Sequence, residues 1–319
     1  MRIVVVGAGA LGGYFGALLQ RDGHGVEYLA RGEHLAALRR DGLRITGATT
    51  LTLSIAVTDD PQILAPADLV LLAVKANQLD EVLPTLSGLI GPETAVVTLQ
   101  NGLEAPGVVA GVLGRDRVLP AVVRVYTRIA APGVIEHMGG PGSITVAEWD
   151  NAETERNTRI RQALVAAGIA SPPPEDIWLD LWRKVMFVVS TGLLGALADA
   201  PLGDQRTRLR PQLAAIMAEV RDVGLAAGIA LDDAVEETLA FADRMPADAT
   251  TSLHRDLAAG QPGELDPLVG GVCRRAREVG VATPLFDLGH ALLVHRLARR
   301  ERARVSSVDC AGNARSAGR

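Results

Sequence analysis

The chain has 319 residues, 48% of them hydrophobic and 22% charged, which suits a globular protein of two domains with a substantial buried core. Its net charge of −5 argues against nucleic acid as a partner, since phosphate recognition needs a basic surface; the basic run at 296–304 reads as a solvated helix end. Cys273 and Cys310 are the only cysteines and lack paired spacing, so neither a disulfide framework nor a zinc site is expected, and no metal is assigned.

The chain opens on residues 3–6, a β-branched apolar run leading into Gly7-Ala8-Gly9-Ala10-Leu11-Gly12. Residues 13–19 continue with helical spacing. Strand, glycine turn and helix start in that order form a dinucleotide-binding βα turn with G-x-G-x-x-G spacing. Gly7 permits the tight turn, Gly9 lacks the Cβ that would block a pyrophosphate, and Gly12 lets the helix pack on the strand. The helix start offers N–H groups and partial positive charge to phosphates. An opening strand leaves no room for a signal peptide, and no apolar run reaches ~18 residues, so no membrane span and a cytoplasmic location are expected.

Residues 26–30 alternate as a second strand and end at Arg31-Gly32-Glu33-His34. An NAD site usually carries an acid at this tip for the ribose 2′-hydroxyl. Here the tip is Arg31, and a guanidinium suits a 2′-phosphate, so NADPH is expected over NADH. Residues 43–57 read as short strands around a Gly-Ala-Thr-Thr turn, and 68–74 as a strand buried on both faces that delivers Lys75. A strand at 95–99 delivers Gln100-Asn101-Gly102. Ligands of open α/β sheets lie at the carboxyl ends of the strands, so Lys75 and Asn101 share a rim with the glycine turn. Further strands are expected at 118–125 and 142–147, with a turn at Ala131-Pro132-Gly133 between them.

The proline run 171–175 marks a boundary, dividing a domain of 1–172 from one of 173–301. The second reads as helices at 177–198, then near 207–227, 232–245, 251–259 and 264–279. Thr283 and Pro284 supply an N-cap and first residue for a helix to about Arg300, and 302–319 is expected to be disordered. The fold class is α/β, a Rossmann-type parallel sheet followed by an all-helical C-terminal domain.

Of 32 basic residues only two are lysines, Lys75 and Lys184. An arginine cannot release a proton at working pH, whereas a lysine can be tuned to do so. Lys184 lies in a largely apolar helix, which predicts partial desolvation of its amine and a better proton donor near neutrality. Ser252 and Glu264 read locally as a helix cap and a first-turn acid.

The ordered set Gly7–Gly12, Arg31, Val74-Lys75-Ala76, Gln100-Asn101-Gly102, Pro132-Gly133, Leu181-Trp182-x-Lys184, and Ser252 with Glu264 resembles the ketopantoate reductase family (2-dehydropantoate 2-reductase) over about residues 1–300. The resemblance implies hydride transfer from NADPH to the ketone of a 2-oxo acid, in a cleft between a Rossmann domain and a helical one. It implies that Lys184 donates the proton, Glu264 orients substrate and lysine, and Ser252 bonds the carboxylate. Lys75 and Asn101 would sit by nicotinamide and substrate. The partner expected is a small 2-oxo acid, with a homodimer as an allowed assembly.

Departures from the family pattern concern the pocket. Family asparagines one and two turns after the lysine are Val188 and Gly192 here, both assigned to the substrate side. Two further asparagines are replaced by Leu202 and Ala249. Loss of four amides predicts weaker polar recognition and a preference for a more apolar 2-oxo acid or another carbonyl or imine substrate. A non-catalytic NADPH sensor is the alternative of a different class; Lys184 and Glu264 speak against it.

Overall fold

The structure, a computed structural model, describes residues 1–316, with side chains as far as Arg302; the disordered tail expected over 302–319 falls outside what is described in full. The chain separates into two compact units, Met1–Leu181 and Trp182–Arg319.

In the first unit β1 (Arg2–Val6) runs through the glycine turn into α1 (Ala10–Arg21), and β2 (Gly25–Leu29) pairs in parallel with β1. Then come α2 (Gly32–Asp41), β3 (Leu43–Gly47), β4 (Leu51–Leu53), β5 (Ala56–Thr58), β6 (Leu69–Leu72), the short helix α3 (Leu79–Val82), β7 (Ala95–Thr98) and α4 (Ala105–Leu113). Two long strands, β8 (Val118–Ala131) and β9 (Val134–Val146), precede α5 (Glu155–Ala166). The nine strands form one sheet in the order β4-β3-β9-β8-β7-β6-β1-β2-β5. From β8 to β5 all neighbours are parallel, and β9 reverses against β8. The chain proceeds from β1 to β2 on one side and returns to β6 on the other. The C-terminal end of β1 is therefore the topological switch point, where ligands of such sheets bind.

Continuous apolar strands are explained by two cores. Ile3, Val5, Leu69, Leu71 and Val97 pack on one face with α1 and α5, while Val4, Val6, Val70, Leu72 and Val96 pack on the other. Alternation along each strand sends neighbours to opposite faces, so every position must be apolar.

Several features depart from the sequence reading. β8 and β9 extend through 126–131 and 134–141, beyond the strands expected at 118–125 and 142–147, as a hairpin about the turn at 132–133. Register shifts between Arg124 and Tyr126, Tyr126 and Thr127, and Ile129 and Ala131 break the period of two, which hides the strands from pattern reading. Helix α5 was not anticipated because only Ile160 and Leu164 form its apolar stripe; the Thr154 side chain caps it, accepting from Asn157 N at 3.2 Å.

Helix α6 (Ile177–Ala198) begins in the first compact unit, which ends at Leu181, and continues into the second. Asp176 Oδ1 accepts from Trp178 N at 2.8 Å, and Asn151 Oδ1 accepts from Ile177 N at 2.8 Å, which satisfies the helix start. Asp180 is held by Arg124 of β8 at 2.5 Å. By length and mean hydropathy (1.4) α6 could cross a membrane, contrary to the expectation that no such run exists; 67% of that stretch is buried inside the protein, as in the core helix of a packed domain.

The second unit comprises the rest of α6, α7 (Leu202–Thr207), α8 (Arg210–Ala226), α9 (Ala234–Arg244), α10 (Ser252–Ala258), α11 (Gly271–Val279) and α12 (Pro284–Ser316). Helix α7 was unforeseen. A π-helical turn, Asp266–Gly270, leads into α11. The start of α12 is satisfied from a distance: the Glu219 carboxylate on α8 accepts from Leu285 N at 2.8 Å and Phe286 N at 3.0 Å. Thr283 and Pro284 stand at the N-cap and first helical positions, as their spacing predicts, with Asp287 N donating to Thr283 O at 2.9 Å.

Candidate functional site

At the C-terminal end of β1 the backbone turns at once: Gly7 N and Ala8 N both donate to Leu29 O, at 3.1 and 3.0 Å. Gly7 has φ +99°, and a Cβ there would lie 2.8 Å from Val74 N. A Cβ at Gly12 would lie 2.1 Å from Gly7 O and 2.8 Å from Val5 Cγ1, so any side chain would push α1 off the strand. Gly9 differs. Its φ of −70° and ψ of −160° suit any residue, and a Cβ there would meet nothing within 4 Å. The protein itself does not require glycine at this position. The missing side chain leaves space beside the N-terminus of α1, whose Gly9 N-cap provides no side-chain acceptor. Unsatisfied N–H groups and open space together fit the diphosphate of a dinucleotide.

Arg31 lies two residues past the end of β2 and is the N-cap residue of α2. Its Nη1 donates to Glu81 Oε1 of α3 at 2.6 Å, with both side chains more than half exposed. No acid stands at the strand tip in sequence, yet the fold brings one there from α3.

His34, one turn into α2, was not singled out from sequence. Gly133 N, in the β8–β9 turn, donates to its Nδ1 at 3.2 Å, so Nδ1 carries no proton. Nε2 is then the protonated nitrogen and donates to Ala8 O at 2.8 Å, inside the glycine turn. One imidazole thus fixes the turn to a second loop.

Lys75 and Asn101 follow β6 and β7, on the same edge as the glycine turn. The close approach of Gly7 to Val74 brings the turn to the backbone that carries Lys75. Gln100, buried at 7% exposure, donates from Nε2 to Leu72 O and Val74 O, each at 2.9 Å, and so clamps the exit of β6. Lys75 N donates to Gln78 Oε1 at 3.2 Å, setting the direction of the following turn. Asn101 is half-buried, and Gly102 takes φ +101°.

In the second unit Lys184, Val188 and Gly192 form one stripe of α6, the first two half-buried and the third buried. A Cβ at Gly192 would lie 3.2 Å from Thr251 Oγ1 and 3.3 Å from Leu253 Cδ2. The start of α10 therefore takes up the volume next to Gly192 that a larger residue would need. Ser252 begins α10 beside it and is exposed, but the helix is capped by Thr251, whose Oγ1 accepts from His254 N at 3.1 Å. The local reading of Ser252 as the cap is corrected accordingly. Glu264 is half-buried just ahead of the π turn, its carbonyl accepting from Leu268 N at 3.0 Å; Asp266 is the acid of the first turn. Leu202 and Ala249 sit side by side, Leu202 N donating to Ala249 O at 3.0 Å.

A family described as "Ketopantoate reductase PanE/ApbA" matches residues 3–151, and its C-terminal counterpart matches 176–296. A 2-dehydropantoate 2-reductase of Mesorhizobium japonicum is 31% identical, covering 93% of this chain and 98% of that protein. A crystal structure of a PanE/ApbA family ketopantoate reductase from Ralstonia eutropha JMP134 superposes with TM-score 0.86 at 28% identity, covering 94% of this chain and all of that one. A D-mandelate dehydrogenase solved with NADH and anilino(oxo)acetate shares the fold, with TM-score 0.84 at 22% identity over 94% of this chain and 99% of the other. The glycine turn, the lysine-bearing helix and the matches along both parts of the sequence have one reading: the chain belongs to the ketopantoate reductase family and is an oxidoreductase.

Proposed function

We propose that this protein reduces a 2-oxo acid to a 2-hydroxy acid with NADPH. Lys184 carries the reading: it is one of two lysines in an arginine-rich chain and stands half-buried on the helix that resembles the family's catalytic helix. A nicotinamide cofactor, once bound, would supply the hydride that the carbonyl carbon takes up. Lys184 donates a proton to the carbonyl oxygen, Glu264 orients substrate and amine, and Ser252 bonds the carboxylate. Lys75 and Asn101 serve nicotinamide and substrate, and the turn Gly7-Ala8-Gly9-Ala10-Leu11-Gly12 holds the diphosphate. Arg31 favours the 2′-phosphate.

The family's own substrate, 2-dehydropantoate, is the first to test. Val188 and Leu202 in place of amides favour a second reading, a 2-oxo acid with an apolar side chain. The fold alone does not choose, since it also carries a D-mandelate dehydrogenase. A panel of 2-oxo acids scored by NADPH oxidation separates the two: efficient turnover of 2-dehydropantoate with poor turnover of alkyl and aryl analogues rejects the apolar reading. Lys184→Ala should lower turnover by about a hundredfold or more while NADPH binding is retained. Unchanged turnover would reject the assignment.

A further inference from the structure

We propose that Glu81 sets the cofactor preference of this enzyme by competing with the nucleotide 2′-phosphate for Arg31. The inference rests on Arg31 as the 2′-phosphate ligand, and the geometry within the first unit carries the rest. Arg31 leaves the end of β2, whereas Glu81 arrives on α3 after β6; β1 lies between those strands. The 2.6 Å ion pair therefore reaches across the edge where β1 ends in the glycine turn, and both side chains are open to solvent, at 61% and 67% exposure.

The two groups have opposite tastes at a ribose 2′ position. A guanidinium favours a phosphate dianion, and a carboxylate accepts from a 2′-hydroxyl and repels a phosphate. With both at one place, NADPH must displace Glu81 from Arg31 or bind beside its negative charge, while NADH meets a ready acceptor. An exposed ion pair is weak, so the competition shifts preference without abolishing binding of either nucleotide.

The test uses the full chain and equilibrium titration, by calorimetry, with NADPH and NADH and with adenosine 2′,5′-bisphosphate and AMP. Glu81→Gln keeps the size of an exposed side chain and should tighten NADPH and the bisphosphate by about two- to fivefold, raising their preference over NADH and AMP by at least that factor. Arg31→Ala should weaken the 2′-phosphorylated ligands selectively, and adding Glu81→Gln to it should shift the preference less than the same change does with Arg31 present, because the competition for the guanidinium has gone and only the carboxylate's own charge is removed. If Arg31→Ala is selective and Glu81→Gln changes no preference, the competition is wrong and the 2′-phosphate reading stands. If Arg31→Ala affects all four ligands equally, both are wrong.

Discussion

At the scale of single residues, the clearest lesson comes from side chains whose partners are remote in sequence. His34 is bonded to Ala8 and to Gly133, 26 and 99 residues away, and its tautomer follows from those two bonds. Removing it should loosen the glycine turn. With each bond contributing about 1 kcal/mol, His34→Ala should weaken NADPH binding by about tenfold while turnover at saturation changes little, measurable as KM against kcat. A parallel loss in kcat would place His34 in a different role. Arg31 was legible as a cation at the strand tip, because strand, tip and helix are contiguous. Its partner Glu81 was not, because no local pattern connects α3 to β2. Cys273 shows burial deciding chemistry: its thiol is pushed up to about 12 by desolvation, with Asp287 adding to the effect. In a Cys310→Ser background it should stay unmodified by thiol reagents at neutral pH in the folded protein.

At the scale of elements, periodicity located β1, α1, β2, β6, β7 and α6, whose apolar positions recur at strand or helix spacing. It failed for the outer β8–β9 hairpin, where bulges shift the register, and for α5, whose apolar stripe is two residues wide. Packing between elements also decides what a substitution means. Gly192 in sequence looks like a lost amide; in the fold it is the point where α10 presses on α6. Placing asparagine there should cost about 1–3 kcal/mol through overpacking against Thr251 and Leu253, read from denaturant unfolding. The cap of α12 gives a pH signature. Desolvation pushes the Glu219 carboxyl above the usual carboxylate range, outweighing the two N–H bonds that favour its charge. The folded state thus holds this proton more tightly than the unfolded state. Its contribution to stability is fully present below the ordinary carboxylate pKa and is lost as pH rises through the raised value. Glu219→Gln should flatten the dependence of Tm on pH across that window; an unchanged slope would remove Glu219 as its source.

At the scale of the whole molecule, binding to the folded chain must appear as stability. NADPH at about a hundred times its Kd should stabilise the protein by about 2.7 kcal/mol, and Arg31→Ala should reduce that gain at the same concentration. No thermal shift with NADPH would reject nucleotide binding outright. The sequence by itself determined the α/β class, the family, and the places of the glycine turn, Lys75, Asn101 and Lys184 at strand ends or on a helix, because each of those rests on contiguous residues whose spacing matches a strand end or a helix face. Only the tertiary structure decided that Gly9 faces open space while Gly12 does not, that His34 ties the turn to a distant loop, that Glu81 pairs with Arg31, and that Thr251 fills the place beside Gly192. Those outcomes depend on which strands lie next to each other and how closely helices approach, and neither quantity is written in local spacing.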